Sequence, residues 1–492
     1  MGNVKNQPFL TGFPRQLFGS NRRPAQERMR AARDSLLGRT LSGLALMFEG
    51  VLGAEAMEGL SGTRRHRVYD QVTTFWAWLG QVLERNESCA QAVTKVQAGR
   101  VEAGLPLPSG NTAAYCTARA ELPGGLLQQV EAMVRGAMEK RVGAAQRWKG
   151  LVPKAIDGSS VRLMDTPANQ ARYPQPPGQR PGCGFPVMGV TAVLNLTHGG
   201  WEAMATGPWK DHDLRGAMRL LGHFGPGDLV LADRAYNSFA LMALLLQRGA
   251  HSLMRLNQQR AKKLDWSKGR RIGRRQRIFV WSKPRYEADG LLGLEQWAAL
   301  PDSLVVRLIR TTIRDRTGRK TTLVVATTLL DEHTHGGMEL LELYARRWEI
   351  ELRLRDVKTT LGMEAFHVRT PEMAHKCLLM VRIAYNLLKW LVQAAAHGNA
   401  PAQREVSFKG TLDAVLAFEA RYRGRQRHHR LRHRIHAQLI ETVADKILDI
   451  RPGRHQPRAV KLRPKAYQLL TAPRSVFRET PRKSRYRKTA YS

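Results

Sequence analysis

Cysteine is scarce: Cys89, Cys116, Cys183 and Cys377 are the only four in 492 residues, and none forms a Cys-x-x-Cys pair. That spacing argues against a disulfide framework or a cysteine-rich zinc site. Long apolar runs are missing as well. Stretches such as Leu241–Leu246 fall far short of the roughly 18 residues needed to cross a bilayer. The N-terminus lacks a basic-then-apolar leader, and Asn6 stands where a myristoylation motif requires Ser or Thr. A cytoplasmic chain without a membrane partner is expected. Acidic residues are the third shortage, 41 Asp and Glu against 79 Lys and Arg, for a formal charge of +38.

Such an excess exceeds what solubility needs in a domain of ordinary size. It points to a polyanion, because each neutralised phosphate releases counterions. The charge is also clustered. Arg255–Arg285 holds 12 basic residues and one acid, Asp265, and the stretch from Arg421 to the end holds 21 against four. Two separate basic surfaces suggest an extended nucleic-acid path. From about Pro452 onward a disordered basic tail is an equal reading.

Apolar spacing predicts helices over Thr40–Val51, Tyr69–Leu83 and Gly124–Val142, with Ser109 or Asn111 capping another. These fit a helix-turn-helix-like module or any helical bundle. At Lys154 the period changes. Strands are predicted at Ala155–Leu163, Val187–Leu196, Trp201–Pro208, Asp228–Asp233 and His251–Leu256, with helices at Asp213–Phe224 and Ser238–Gly249. Three strands, a helix, a strand, a helix and a strand is the order of a ribonuclease-H-like domain. Further strands at Arg277–Trp281, Leu304–Arg314 and Lys320–Thr328 form a β-rich basic insertion. A helix over Met338 to about Thr360 and helices within Met373–Ala396 follow. The expected organisation is α/β: a helical DNA-binding region at 1–148, the first part of a ribonuclease-H-like catalytic domain at 149–256, the insertion at 257–322, the second part at 323–400, and a helical, basic and partly disordered region at 401–492.

At about 100° per residue, Tyr344, Arg347, Glu351 and Lys358 fall within an arc of about 60° on one helix, while Glu349 and Asp356 point elsewhere. Spacing alone would favour a salt-bridged exposed face. Two strand acids add weight. Asp157 lies inside an apolar strand, where a carboxylate is costly unless paired or liganded. Asp233 ends an apolar strand, at the edge where sites of open α/β sheets collect. Asp165 competes with Asp157, but its Thr-Pro sequel reads as a turn. Three hard carboxylate ligands suit divalent ions and phosphoryl transfer. His198, His212, His223, His333 and His367 show no metal-ligand spacing, and His428-His429 reads as part of a basic face.

The stretch Tyr344-x2-Arg347-x3-Glu351-x6-Lys358 resembles the signature of DDE transposases of the insertion sequence 4 family. So do Ile156-Asp157-Gly158-Ser159 with Asp165–Asn169, Ala232-Asp233-Arg234-Ala235-Tyr236, Leu361-Gly362-Met363 and Arg369–Met373, and upstream Tyr115–Arg119 with Leu122-Pro123. The resemblance runs from about residue 100 to 410. It implies Asp157, Asp233 and Glu351 as catalytic carboxylates holding Mg2+, or Mn2+, as two ions. It implies Arg347 and Lys358 on element-end phosphates, with Tyr344 positioning them. It implies cut-and-paste transposition by a nucleoid-associated homodimer on double-stranded DNA, both terminal inverted repeats and target. Insertion arginines such as Arg270, Arg271, Arg274 and Arg275 would face that DNA. Some relatives stack an aromatic of the last insertion strand on a flipped base; around Lys320–Leu323 there is none, and Trp281 is the nearest substitute. A catalytically silent DNA-binding descendant and a structure-specific nuclease on the same fold are the rival readings.

Overall fold

Local caps set where the N-terminal helices begin. In the computed structural model, which describes residues 43–476 apart from 54–55, 58–66, 86, 212, 287–289, 315–319, 397–405 and 449–469, five helices precede the first strand among the described residues. They are α1 (Gly43–Met47), α2 (Gln71–Leu83), α3 (Cys89–Glu102), α4 (Ala113–Glu121) and α5 (Gly124–Glu139). Asp70 accepts from the Thr73 amide at 2.7 Å to start α2, and Ser88 and Gln91 form a reciprocal box at α3. Neither residue expected to cap α4 is its N-cap, which is Thr112; Asn111 makes a turn just before it, accepting from the Ala113 amide at 2.8 Å.

Alternating and apolar runs then build the sheet. Its strands are β1 (Val152–Leu163), β2 (Val187–Asn195), β3 (Trp201–Pro208), β4 (Asp228–Ala232) and β5 (His251–Arg255). A short helix α6 (Pro167–Arg172) follows β1, α7 (Asp213–Arg219) follows β3, and α8 (Phe239–Gln247) follows β4. The expected turn after Asp165 is the start of α6: Thr166 accepts from the Asn169 amide and Pro167 occupies the first turn, where its missing N–H costs nothing. The strand order is β3-β2-β1-β4-β5, with β1 to β3 antiparallel and β1, β4 and β5 parallel. That is the ribonuclease-H-like order.

Past α9 (Gln258–Lys263), the strands β6 (Arg270–Gly273), β7 (Gln276–Ser282), β8 (Ser303–Arg314) and β9 (Lys320–Thr327) form an antiparallel meander, with α10 (Leu294–Ala298) between β7 and β8. β9 also pairs antiparallel with β5, Leu253 opposite Thr327. The basic meander therefore prolongs the core sheet rather than standing apart from it. Buried Arg307 ties its far end to the next segment, donating to the carbonyls of Asp331 and His335 at 3.1 and 2.7 Å.

The segment expected as one helix to Thr360 is divided. α11 (Gly337–Ala345) and α12 (Trp348–Arg355) meet at a tight turn where the Arg346, Arg347 and Glu349 amides bond three residues back, and α12 loosens into a π-helical turn over Asp356–Thr360. A two-residue strand, β10 (Ala365–Phe366), pairs with the end of β1. Then come α13 (Pro371–Ala395), α14 (Phe408–Tyr422) and α15 (His429–Ala444), the last taking up His429 and its basic neighbours. The expected tail beyond Pro452 lies almost entirely outside the described residues.

Two apolar layers cover the sheet. Ile156, Val193 and Val230 face α7 and α8, while Ala155, Leu194 and Leu231 join a cluster that includes α2, α5, α13, α14 and α15. α13 is long and apolar enough to cross a membrane by length and composition, but 89% of the relevant window is buried inside the protein. Its Asn386 pins β3, bonding both the N–H and the carbonyl of Trp201 at 2.8 and 2.9 Å. α7 presses closely on β2. A Cβ placed on Gly216 would lie 1.8 Å from Thr191 Oγ1. The Gly216→Ala variant is expected to lose about 1–3 kcal/mol through overpacking, read as a lowered thermal midpoint; an unchanged midpoint would show that α7 shifts freely.

Candidate active site

The parallel pairing of β1 with β4 stops early, and that creates the site. It runs from Val152 opposite Asp228 to Ala155 opposite Leu231. Continued by two residues, the register brings Asp157 level with Asp233, one position beyond the end of β4. The same edge of β1 is not paired again until Arg162 meets Ala365 of β10. Asp157 therefore sits at an opening at the C-terminal ends of the parallel strands, and α12, carrying Glu351, packs over β1 there.

Hydrogen bonds hold each acid. Asp157 Oδ1 accepts from the Gly158 amide at 2.8 Å, and its Oδ2 lies 3.8 Å from Arg347. Asp233 Oδ1 accepts from the Ala235 amide at 2.8 Å, a turn that aims the carboxylate back toward β1. Glu351 accepts from Arg347 at 2.9 Å. The Arg347 guanidinium thus spans Asp157 and Glu351. The buried Tyr344 phenol lies within electrostatic reach of both Arg347 and Asp233. Burial pushes the Asp157 carboxyl up to about 6; Gly158 and Arg347 oppose this, and the negative charges of Glu351 and Asp233 add to it.

The site residues expected from sequence are only partly gathered. Asp157, Asp233, Glu351, Arg347 and Tyr344 share one centre. Lys358 lies in the π-helical turn, half-buried, and its side chain makes no ion pair among the described residues. Arg270, Arg271, Arg274 and Arg275 are exposed on the β6–β7 hairpin, away from the acids. Beside them is a cleft of about 880 Å³ lined by Arg260, Lys263, Lys268, Arg270 and Trp281. Arg260 stacks 4.6 Å from the Trp281 ring centroid. Two groups not singled out as site residues lie behind the centre, on the opposite face of β1: Asp213, at the start of α7, and Tyr236. Both adjoin Gly158. Tyr236 closes a motif already noticed, whereas Asp213 reads in sequence only as a helix-start acid. A polar cavity of about 340 Å³ opens from Asp157 across Ser159 and Ser160 to Asp213 and Arg219.

By donor chemistry, three carboxylates, two of whose charges raise the pKa of Asp157, fit a hard divalent cation. Glu351 first has to leave Arg347. Among the described residues, the one set of His, Cys, Asp or Glu whose ligand atoms lie within 4.8 Å of one another is a different one, Glu139, His198 and Glu202. Glu139 is remote in sequence, and His198 and Glu202, four apart, straddle the turn into β3, so no helical ligand spacing reveals the set. The Gly200 amide donates to His198 Nδ1 at 3.0 Å, which puts the ring proton on Nε2, 3.4 Å from both carboxylates. An imidazole in that state has no lone pair for a metal. Burial disfavours its charged form and the two carboxylates outweigh burial, raising its pKa.

The family model described as a transposase DDE domain matches residues 148–387. The transposase InsG for insertion sequence element IS4 of Escherichia coli (strain K12) is 27% identical over 346 residues, covering 69% of this chain and 74% of that protein. A solved structure, the piggyBac transposase synaptic complex with hairpin DNA, aligns with a TM-score of 0.40 at 10% identity over 83% of this chain and 86% of that one.

Proposed function

We propose that this chain, which belongs to the DDE transposases of the insertion sequence 4 family, moves its element by a cut-and-paste route, with Asp157, Asp233 and Glu351 as the carboxylates that hold its divalent metal. The observation that supports this most is the convergence itself. Two acids lie level on adjacent parallel strands, and Arg347 spans one of them and the acid of α12. Mg2+ or Mn2+, as a pair, would supply a nucleophile at neutral pH and neutralise charge on the phosphorus.

The chain's own residues supply positioning. Arg347 exchanges Glu351 for non-bridging phosphate oxygens, which its planar fork matches. Tyr344 orients that fork, and Lys358 adds a point charge further along the strand. A water attacks the phosphorus at each element end, and the 3′-oxygen leaves with a proton. The freed 3′-hydroxyl then attacks a target phosphorus in line, expelling the opposite 3′-oxygen. Two ends need two sites, so the working species is at least a homodimer on terminal inverted repeats and target DNA.

The test is an assay of the purified chain with Mg2+ and DNA carrying the inverted repeats that flank its gene. Cleavage at the repeat ends followed by joining to target is expected. Cutting without joining would point to the nuclease, and binding without cutting to the silent descendant; either overturns the proposal. The hairpin arginines make a separate prediction. Each phosphate contact contributes about 0.9 to the salt slope of binding. Replacing Arg270, Arg271, Arg274 and Arg275 with Ser is expected to flatten that slope by about 3–4, measured by titration at several salt concentrations.

A further inference from the structure

Tyr236 is 1% exposed, yet its hydroxyl has no hydrogen-bond partner among the described residues. The ring packs in the layer with Ile156, Ala232 and Phe239. Its hydroxyl lies against β1 on the face of Ile156 and Gly158, opposite the face that carries the Asp157 side chain. A Cβ placed on Gly158 would lie 3.8 Å from the Tyr236 oxygen and 2.8 Å from Asp213 Oδ1. Both groups thus converge on the one glycine whose amide holds Asp157 Oδ1. The charges that reach the phenol are those of Asp213, Asp157, Asp233 and Arg347; burial and the three carboxylates keep it protonated, so it is a donor. A phenylalanine would fill the same space without burying an unpaired hydroxyl. The hydroxyl is a cost to the fold as it stands, and it gains an acceptor only if a carboxylate turns toward it.

We propose that Tyr236 is a positioning residue for the reaction: when the centre is loaded with a divalent cation, its hydroxyl donates to Asp213, and the pair, braced beneath Gly158, fixes Asp157 in the orientation that holds the ion. This rests on the assignment of Asp157 as a metal ligand. Asp213 has a further interaction of its own, so it is shared rather than captured.

The experiment is a Mn2+ titration of the full chain, followed by calorimetry and paired with thermal melts and end cleavage. Tyr236→Phe is expected to melt at or above the wild-type temperature. It should bind Mn2+ about tenfold more weakly, in the range of groups that orient metal ligands, and recover part of its lost cleavage at saturating Mn2+. Asp213→Asn should weaken binding in the same direction. Wild-type Mn2+ affinity in Tyr236→Phe would overturn the proposal, whether or not the melting temperature falls. The Asp157→Asn variant separates the two layers. If it binds Mn2+ as wild type does, the assignment of Asp157 fails and the Tyr236 proposal with it. If it does not bind while Tyr236→Phe binds normally, only the proposal fails.

Discussion

Asp157→Asn is expected to abolish end cleavage and, at neutral pH, to stabilise the metal-free protein. The loss follows from removing one hard ligand of a centre that supplies several kcal/mol of transition-state charge stabilisation, which corresponds to about 10³-fold or more in rate. The gain has a separate cause. The Asp157 carboxyl titrates at about 6 in the folded chain, above the roughly 3.9 of an unfolded one. A raised acid favours folding only while it is protonated. Its contribution is therefore complete below pH ~4 and lost as pH rises through 6. Above that, the buried carboxylate costs up to ~3 kcal/mol, less whatever its partial exposure to solvent screens. Asn carries no such dependence. Melts of metal-free protein should coincide near pH 4 and diverge by pH 7.5, with the variant higher. Added Mn2+ should then raise the wild-type midpoint and leave the variant unmoved. Normal cleavage by Asp157→Asn, or parallel melts across that pH range, would contradict the assignment.

Much of this centre was readable before any coordinates. β3 spans the residues that alternation predicted, Trp201–Pro208; β2, β4 and β5 each end one residue early, and β1 begins three residues early, at Val152. Asp157 and Asp233 stand out because a carboxylate within or at the end of an apolar strand has few cheap explanations. Their side-by-side placement was not readable. It depends on the offset between β1 and β4, which follows from how the covering helices pack. The tilt of the acid-bearing helix was hidden for a similar reason. Nothing in Tyr344-Ala345-Arg346-Arg347-Trp348 is a breaker, and propensity runs straight through it. The turn comes from tertiary pull: Arg346 donates to the Leu196 carbonyl at 2.6 Å and pairs with Glu349 at 2.8 Å. A tightened turn followed by a π-helical one does not advance 100° per residue. Arg347 and Glu351, four apart beside the turn, stay together, and Lys358, inside the loosened segment, does not join them. The pairing of β9 with β5 was equally out of reach. A strand's composition does not say which of two edges it will meet.

Arg347 separates holding metal from holding DNA, because it touches two of the proposed metal ligands yet carries the wrong charge to be one. Arg347→Ala is expected to slow end cleavage by about 10²–10³-fold, the usual loss when one donor to a developing charge is removed. Its effect on metal affinity should have the opposite sign. With the guanidinium gone, Glu351 loses its 2.9 Å partner and Asp157 its nearest cation, so both carboxylates turn more readily to a divalent ion. Mn2+ should bind the variant at least as tightly as wild type while the reaction fails. Arg347→Lys should fall between, since an ammonium keeps the charge and gives up the two-point match to phosphate. A residue that merely buttressed the α11–α12 turn would behave otherwise: Ala and Lys would both lower the melting temperature, and metal affinity would fall with activity. Calorimetric Mn2+ titration beside cleavage of a labelled terminal-repeat duplex distinguishes the two. Weaker Mn2+ binding in Arg347→Ala, or cleavage within a few fold of wild type, would remove Arg347 from the DNA-binding side of the centre. The guanidinium would then be only the counter-ion that keeps two buried acids apart.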